Sequence, residues 1–258
     1  MIGAIAGDII GSVYESHPIK RKEFPLFHPQ ATFTDDTVLT VAIASAILAS
    51  TSYESAVRTL GQRYPHAGYG GMFRQWLYAE TPRPYNSWGN GAAMRVSPIG
   101  FAFDSEAEVL HEAEKTAAIT HNHPEGIKGA QATALAVFLA RTNHSKNDIR
   151  TRLQDQFGYP LNRRVEEIRP TYSFDVSCQG TVPAALMAFF DANSYEDAVR
   201  NAVSLGGDSD TLACITGGIG EAYYGSVPEP IRAQVESLLP NDLWDITQTF
   251  CQRYPKQR

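Results

Sequence analysis

The chain has 258 residues, enough for one large domain or two small ones at about 150 residues per domain. It is 43% hydrophobic and 19% charged, which suits a sizeable core and not a disordered chain. Its 22 basic and 28 acidic residues leave a net charge of −6 with no basic block, which argues against a non-specific grip on a phosphate backbone.

At the N-terminus there is no basic segment, and Asp8 interrupts the apolar run, so these residues do not read as a signal peptide. Residues 36–49 (DTVLTVAIASAILA) predict a buried helix with acidic residues at its positive end. This apolar run is too short to span a bilayer. Thr51 with Glu54 and Ser105 with Glu108 have the spacing of a capping box that opens a helix. After the second box, Val109, Ala113, Ala117 and Ala118 recur at helical intervals, and an Ala-rich stretch follows Pro124. Residues 145–157, 181–190, 195–203, 211–224 and 228–239 are further helical candidates. Strand signals are few: residues 168–174 (IRPTYSF) have suitable types, but Pro170 makes them an extended segment. Cys178, Cys214 and Cys251 form no close pair, which excludes a C-x-x-C motif and argues against a disulfide framework. The expectation is an all-α, compact, single domain over residues 1–258, in a soluble cytoplasmic protein.

Two short motifs carry the chemistry. One is Phe33-Thr34-Asp35-Asp36-Thr37 and the other is Gly206-Gly207-Asp208-Ser209-Asp210-Thr211. Each sets carboxylates beside hydroxyls ahead of an apolar helix, with no Lys or Arg inside it. Hard cations such as Mg²⁺ and Mn²⁺ take such oxygens, so the four Asp could hold one ion, or two that share a bridging carboxylate. The plainer role for Asp at such a place is helix capping, but a cap needs one Asp and each motif offers two. On a helical first turn Asp208 and Thr211 would face the same way, with Asp210 converging from the adjoining loop.

Other acidic signatures fail. A haloacid-dehalogenase motif would need Thr or Val at position 212, which is Leu; no His-Asp dipeptide occurs; the spacing after Asp210 is not that of an EF-hand. The loop Ser87 to Arg95 (SWGNGAAMR) offers backbone N–H groups suited to a phosphate, although such a turn is more often only a turn. The Gly-rich run from Gly217 to Gly225 follows no strand, so a Rossmann reading fails, and close helix packing explains it better.

Together, Gly7-Asp8 to Glu15, Phe33 to Thr37, Gly89 to Arg95, Thr120-His121 and Gly206 to Thr211 resemble, in order, the motifs of the ADP-ribosyl-glycohydrolase family. That resemblance implies an all-helical fold with a cleft holding two divalent cations, Mg²⁺ or Mn²⁺. The implied metal ligands are Thr34, Asp35, Asp36, Asp208, Asp210 and Thr211. Glu15 matches an acidic residue that approaches the metals and governs access to the cleft. Asn90, Gly91, Ala92, Met94 and Arg95 would lie along the ADP-ribose with their N–H groups at its diphosphate, and His121 would flank the cleft. The implied reaction is hydrolysis of the bond between ADP-ribose and a modified protein side chain or another acceptor. Asp36 or Glu15 would orient or deprotonate the water. Alternatives are a different ADP-ribose conjugate or nucleotide glycoside as substrate, and a non-catalytic ADP-ribose-binding or structural member. The expected partner is ADP-ribose or an ADP-ribosylated protein; nothing marks a membrane, and an ADP-ribosylated nucleic acid is left open. The segments 64–84 and 163–177 contain Tyr, Arg and Trp residues that could rim the cleft, though most would be plain surface.

Overall fold

The computed structural model describes residues 1–255, in which fifteen helices follow one another and no strand forms. The helix at the centre is α13 (Ser209–Tyr224), buried along nearly all of its length. Around it lie α1 (Ile2–Ser16), α2 (Asp35–Ala49), α8 (Pro124–Arg141), α11 (Cys178–Phe190) and α12 (Tyr195–Val203). The helices α2, α8, α11 and α13 are apolar all round, as core helices are. The short α5 (Gly91–Met94) and α6 (Ser97–Ala102) pack between α8 and α13.

Serine caps punctuate the chain. Ser52, Ser105, Ser145, Ser177 and Ser194 each accept a backbone N–H at the start of α3 (Tyr53–Arg63), α7 (Glu106–Ala118), α9 (Lys146–Phe157), α11 and α12. The box expected to open at Thr51 begins one residue later. Ser50 ends α2 in the left-handed region at φ 52°, and the Thr51 N–H bonds back to Ala46 O. Thr51 therefore closes α2, and Ser52 opens α3. Helices α1, α4 (Gly71–Tyr78) and α15 (Asn241–Arg253) lie outside the helical candidates read from the sequence, although α4 buries Phe73, Trp76 and Leu77 and α15 buries Leu243, Trp244, Thr247 and Phe250 on one face. The segment 168–174 is not extended throughout. Ile168 ends the short helix α10 (Val165–Ile168), and residues 169–171 continue as a turn in which the Thr171 and Tyr172 N–H groups bond to Ile168 O. Only the stretch beyond is irregular, with one bridge from Ser177 to Gly89.

Glycine explains α1. Gly3, Gly7 and Gly11 recur every fourth residue on one face and lie directly on the α13 backbone. A Cβ added at Gly7 would come within 2.0 Å of Ala213 O, and one at Gly11 within 2.3 Å of Ser209 O. From the other side, a Cβ at Gly217 would come within 2.1 Å of Gly3 O. Gly3 also donates its N–H to Glu221 Oε2 at 2.8 Å and accepts from the Tyr195 hydroxyl at 2.8 Å. No described helix is long and apolar enough to cross a membrane.

Gly7→Ala is expected to lower stability by about 3 kcal/mol, the upper end of overpacking costs, because backbone atoms and not a flexible side chain occupy the space. Gly71→Ala, where a Cβ meets nothing within 4 Å, should change it by under about 0.5 kcal/mol. Urea denaturation of both variants checks this; equal stability of the two would refute the close-approach account.

Candidate metal centre

The α1–α13 contact sets the site. It brings Asp8 and Glu15 of α1 beside Asp208, Asp210 and Thr211 at the start of α13. The start of α2 supplies Thr34, Asp35 and Asp36, and Thr211 Oγ1 reaches Asp36 Oδ2 at 3.3 Å, so the two motifs meet. They form one wall of a cleft of about 380 Å³. Side-chain oxygens of Asp8, Asp36 and Asp210 lie within 4.8 Å of one another, as do those of Glu15, Asp208 and Asp210. Asp210 belongs to both groups.

Capping and ligand duties separate cleanly. At α2 the N-cap is Thr34, whose hydroxyl accepts the Asp36 N–H, so neither Asp closes the helix. At α13 the N-cap position is Asp208, but its side chain makes no cap hydrogen bond. Its Oδ2 instead accepts from Asn90 Nδ2 at 2.7 Å. One expectation is corrected: Asp208 stands just outside the helix, while Asp210 and Thr211 form its first turn with Ser209. The reason is Gly206, at φ 64°, which turns the chain so that α13 opens only after Asp208. Gly207 lies under Tyr172, whose ring a Cβ would meet at 2.5 Å, and Lys20 Nζ donates to Leu205 O and Tyr172 O to hold this loop.

The electrostatics are those of a site awaiting positive charge. Burial pushes the Asp35 carboxyl up to about 7, with the Asp8 charge adding to it. Burial also raises Asp36 and Asp210 well above the carboxylate range, helped by Asp8 at the first and by Asp36 at the second. Asp208 and Asp8 are raised by burial against the pull of their hydrogen bonds. Glu15, exposed at the rim, is raised by burial of its carboxyl and by the Asp208 charge. None of these carboxylates makes an ion pair among the described residues. Asp36 Oδ1 is buried without a hydrogen-bond partner. An orphaned carboxylate oxygen within a set of oxygen donors fits a hard divalent cation.

The remaining sequence-predicted residues divide. Asn90, Gly91, Met94, Arg95 and His121 line the cleft; Ala92 is fully buried and is not among the lining residues. Asn90 spends its amide on Asp208 and Thr181 Oγ1, so it anchors a carboxylate. Arg95 is fully buried and donates from Nη2 to Thr116 O and Thr120 Oγ1, leaving Nε and Nη1 unpartnered. Burial lowers His121 well below its ordinary range, with Arg95 adding to it, so the ring is neutral. The N–H groups of Gly89, Asn90, Ala93 and Met94 bond to Ser87 Oγ, Val176 O and Asn90 O. A diphosphate would thus meet fewer donors of this loop than its composition suggests. The two rim segments do reach the cleft, but through Gly68, Gly70, Gly71, Met72, Phe73, Phe174 and Val176 in place of their Tyr, Arg and Trp residues. Asp8 is the site residue that sequence reasoning left without a role; its signal is a lone carboxylate inside an apolar, glycine-spaced run.

Comparison with known proteins agrees with this architecture. The ADP-ribosylglycohydrolase profile matches residues 1–258, and the chain belongs to that family of glycoside-cleaving enzymes. It is similar to ADP-ribosylhydrolase ARH3 of Mus musculus, 26% identical over 94% of this chain and 88% of that protein. ADP-ribosylarginine hydrolase Tri1 of Pseudomonas putida (strain GB-1) is 22% identical over 87% of this chain and 69% of its own length. A solved structure of an ADP-ribosylglycohydrolase-related protein complex superimposes with a TM-score of 0.71 at 25% identity, over 96% of this chain and 97% of that one.

Folding raises the Asp35 pKa from 3.8 to about 7, so in that window the folded metal-free protein binds a proton that the unfolded chain has released. Its stability must fall as pH rises through the window. Melting in chelator at pH 5 and at pH 8 should show the lower Tm at pH 8, and Mg²⁺ or Mn²⁺ should restore it. A Tm that is flat or rises with pH would contradict the charge-crowded site.

Proposed function

We propose that the protein is a divalent-metal-dependent hydrolase of the glycosidic bond that joins ADP-ribose to an acceptor. The observation that carries this reading is the meeting of two Asp-rich helix starts in one cleft, with an unpartnered Asp36 Oδ1 and no Lys or Arg paired with these carboxylates among the described residues. Thr34, Asp35, Asp36, Asp208, Asp210 and Thr211 would hold two ions, Mg²⁺ or Mn²⁺, with Asp210 the carboxylate placed to serve both groups of oxygens. When bound, the cations supply a hold on the ribose 2″- and 3″-hydroxyls and acidify water.

The chain's own residues do the rest. Departure of the acceptor from C1″ builds oxocarbenium character, which the carboxylates on the cleft wall stabilise. Glu15, at the rim with a raised pKa, is placed to take a proton from the attacking water, whereas Asp36 at the floor is committed to Thr211 and to its cation. Neutral His121 and the Gly89–Gly91 turn also line the cleft, and a Cβ at Gly91 would come 3.1 Å from His121 Nε2. Gly91 lets the turn pack closely on the His121 ring.

The acceptor side is formed by the rim, which is apolar at Met72, Phe174 and Val176. Among the similar proteins, Tri1 is an ADP-ribosylarginine hydrolase, whereas ARH3 is an ADP-ribosylhydrolase whose name specifies no linkage. Release of ADP-ribose from arginine-, serine-, nucleobase- and acetyl-linked conjugates is therefore the decisive assay. Wild-type protein with Mg²⁺ or Mn²⁺ is expected to turn over one of them. Chelation, Asp35→Ala or Asp210→Ala should reduce release by more than about 100-fold, beyond the cost of losing an outer-shell partner. Full activity after either treatment, or no release from any conjugate, would overturn the reading.

A further inference from the structure

Asp8 is a fully buried carboxylate with no ion pair, and it spends itself on one turn of a neighbouring helix. Its Oδ1 accepts the Thr34 hydroxyl at 2.7 Å. Its Oδ2 accepts the Thr34 N–H at 2.9 Å, the Thr37 N–H at 3.0 Å and the Thr37 hydroxyl. The first turn of α2 is thus capped from outside by a residue of α1. That leaves the two carboxylates of the turn, Asp35 and Asp36, free of capping duty.

The consequence for Thr34 is a matter of hydrogen count. A hydroxyl has one hydrogen and two lone pairs. The hydrogen of Thr34 goes to Asp8, and one lone pair takes the Asp36 N–H at 3.2 Å. What remains toward the cleft is a lone pair, which a cation attracts; a hydroxyl free to rotate would also offer its hydrogen, which a cation repels. An oxygen of Asp8 lies within 4.8 Å of those of Asp36 and Asp210, but Oδ2 already accepts three hydrogen bonds and Oδ1 holds the Thr34 hydroxyl, so the carboxylate is oriented toward the α2 turn.

We propose that Asp8 is a positioning residue of the cation centre: it takes the Thr34 hydroxyl hydrogen, docks the first turn of α2 on α1, and so fixes Thr34, Asp35 and Asp36 as oxygen donors. This rests on the metal-centre reading above. Outer partners that orient metal-binding groups typically change affinity about 10- to 100-fold when removed.

The test is Mn²⁺ titration of wild type, Asp8→Asn and Thr37→Val by calorimetry, with the electron paramagnetic resonance spectrum of the bound ion and the Tm of each metal-free protein. Asp8→Asn puts an amide N–H₂ where donors converge and should weaken Mn²⁺ binding about 10- to 100-fold with a changed spectrum. Thr37→Val removes one donor to Asp8 without touching a proposed ligand. It should weaken binding by a smaller factor, again with a changed spectrum, while lowering the Tm of the metal-free protein by only about 2–4 °C, the cost of one buried hydrogen bond. Should Asp8→Asn not fold, Thr37→Val decides alone. Wild-type affinity and spectrum in the folded variants would overturn the role of Asp8 and leave the metal centre standing. A wild-type protein that binds no Mn²⁺ would instead overturn the metal centre, and this proposal with it.

Discussion

The structure depends on the backbone contact between α1 and α13. Gly3, Gly7 and Gly11 present one face without side chains, and the α13 backbone lies against it closely enough that a Cβ at any of them would overlap a carbonyl oxygen. Such proximity is available only to glycine, and it determines where the polar residues between the glycines go. Asp8 follows Gly7 and is turned toward α2; Glu15 follows Gly11 by one turn and reaches the rim beside Asp208. A helix pair held at ordinary side-chain distance, about 8–10 Å between axes, would separate the carboxylates of α1 from those of α13.

The burial of so many carboxylates is costly to the fold. Its carboxylates are buried together without an ion pair, and burial dominates the upward shift of each. Backbone and side-chain donors offset part of that cost: the α2 turn serves Asp8, and Asn90 serves Asp208. Asp36 Oδ1 receives nothing. A divalent ion satisfies that oxygen and reverses the mutual repulsion, so ion binding and folding draw on the same free energy. The apolar core of α2, α8, α11 and α13 is what allows the fold to carry such a site.

Much of this was legible in the sequence, and for identifiable reasons. The Ser105 box marks the start of α7, and apolar or periodic runs mark α2, α8, α11 and α12, because capping and burial are local or periodic signals. The two Asp motifs could be paired across 173 residues because each has more carboxylates than a helix start needs. Helix α1 was hidden because its glycines, which read as breaks in a chain, are here the contact surface. Asp8 was hidden with it, since its four hydrogen bonds all run to residues 34–37. The order of Asp208 and Asp210 along the α13 start followed from the left-handed turn at Gly206 and not from spacing. The rim departed most: Met72 reaches the cleft from the first turn of α4, and Phe174 and Val176 from the irregular stretch ahead of α11, whose path carries no periodic signature.

The central claim is that the two Asp motifs, far apart in sequence, close around divalent cations. Anomalous diffraction from a Mn²⁺-soaked crystal measures this directly. The account predicts strong peaks in this cleft, about 2 Å from oxygens of Asp36, Asp208 and Asp210. Density for these side chains with no anomalous peak among them, at saturating Mn²⁺ and neutral pH, would contradict it.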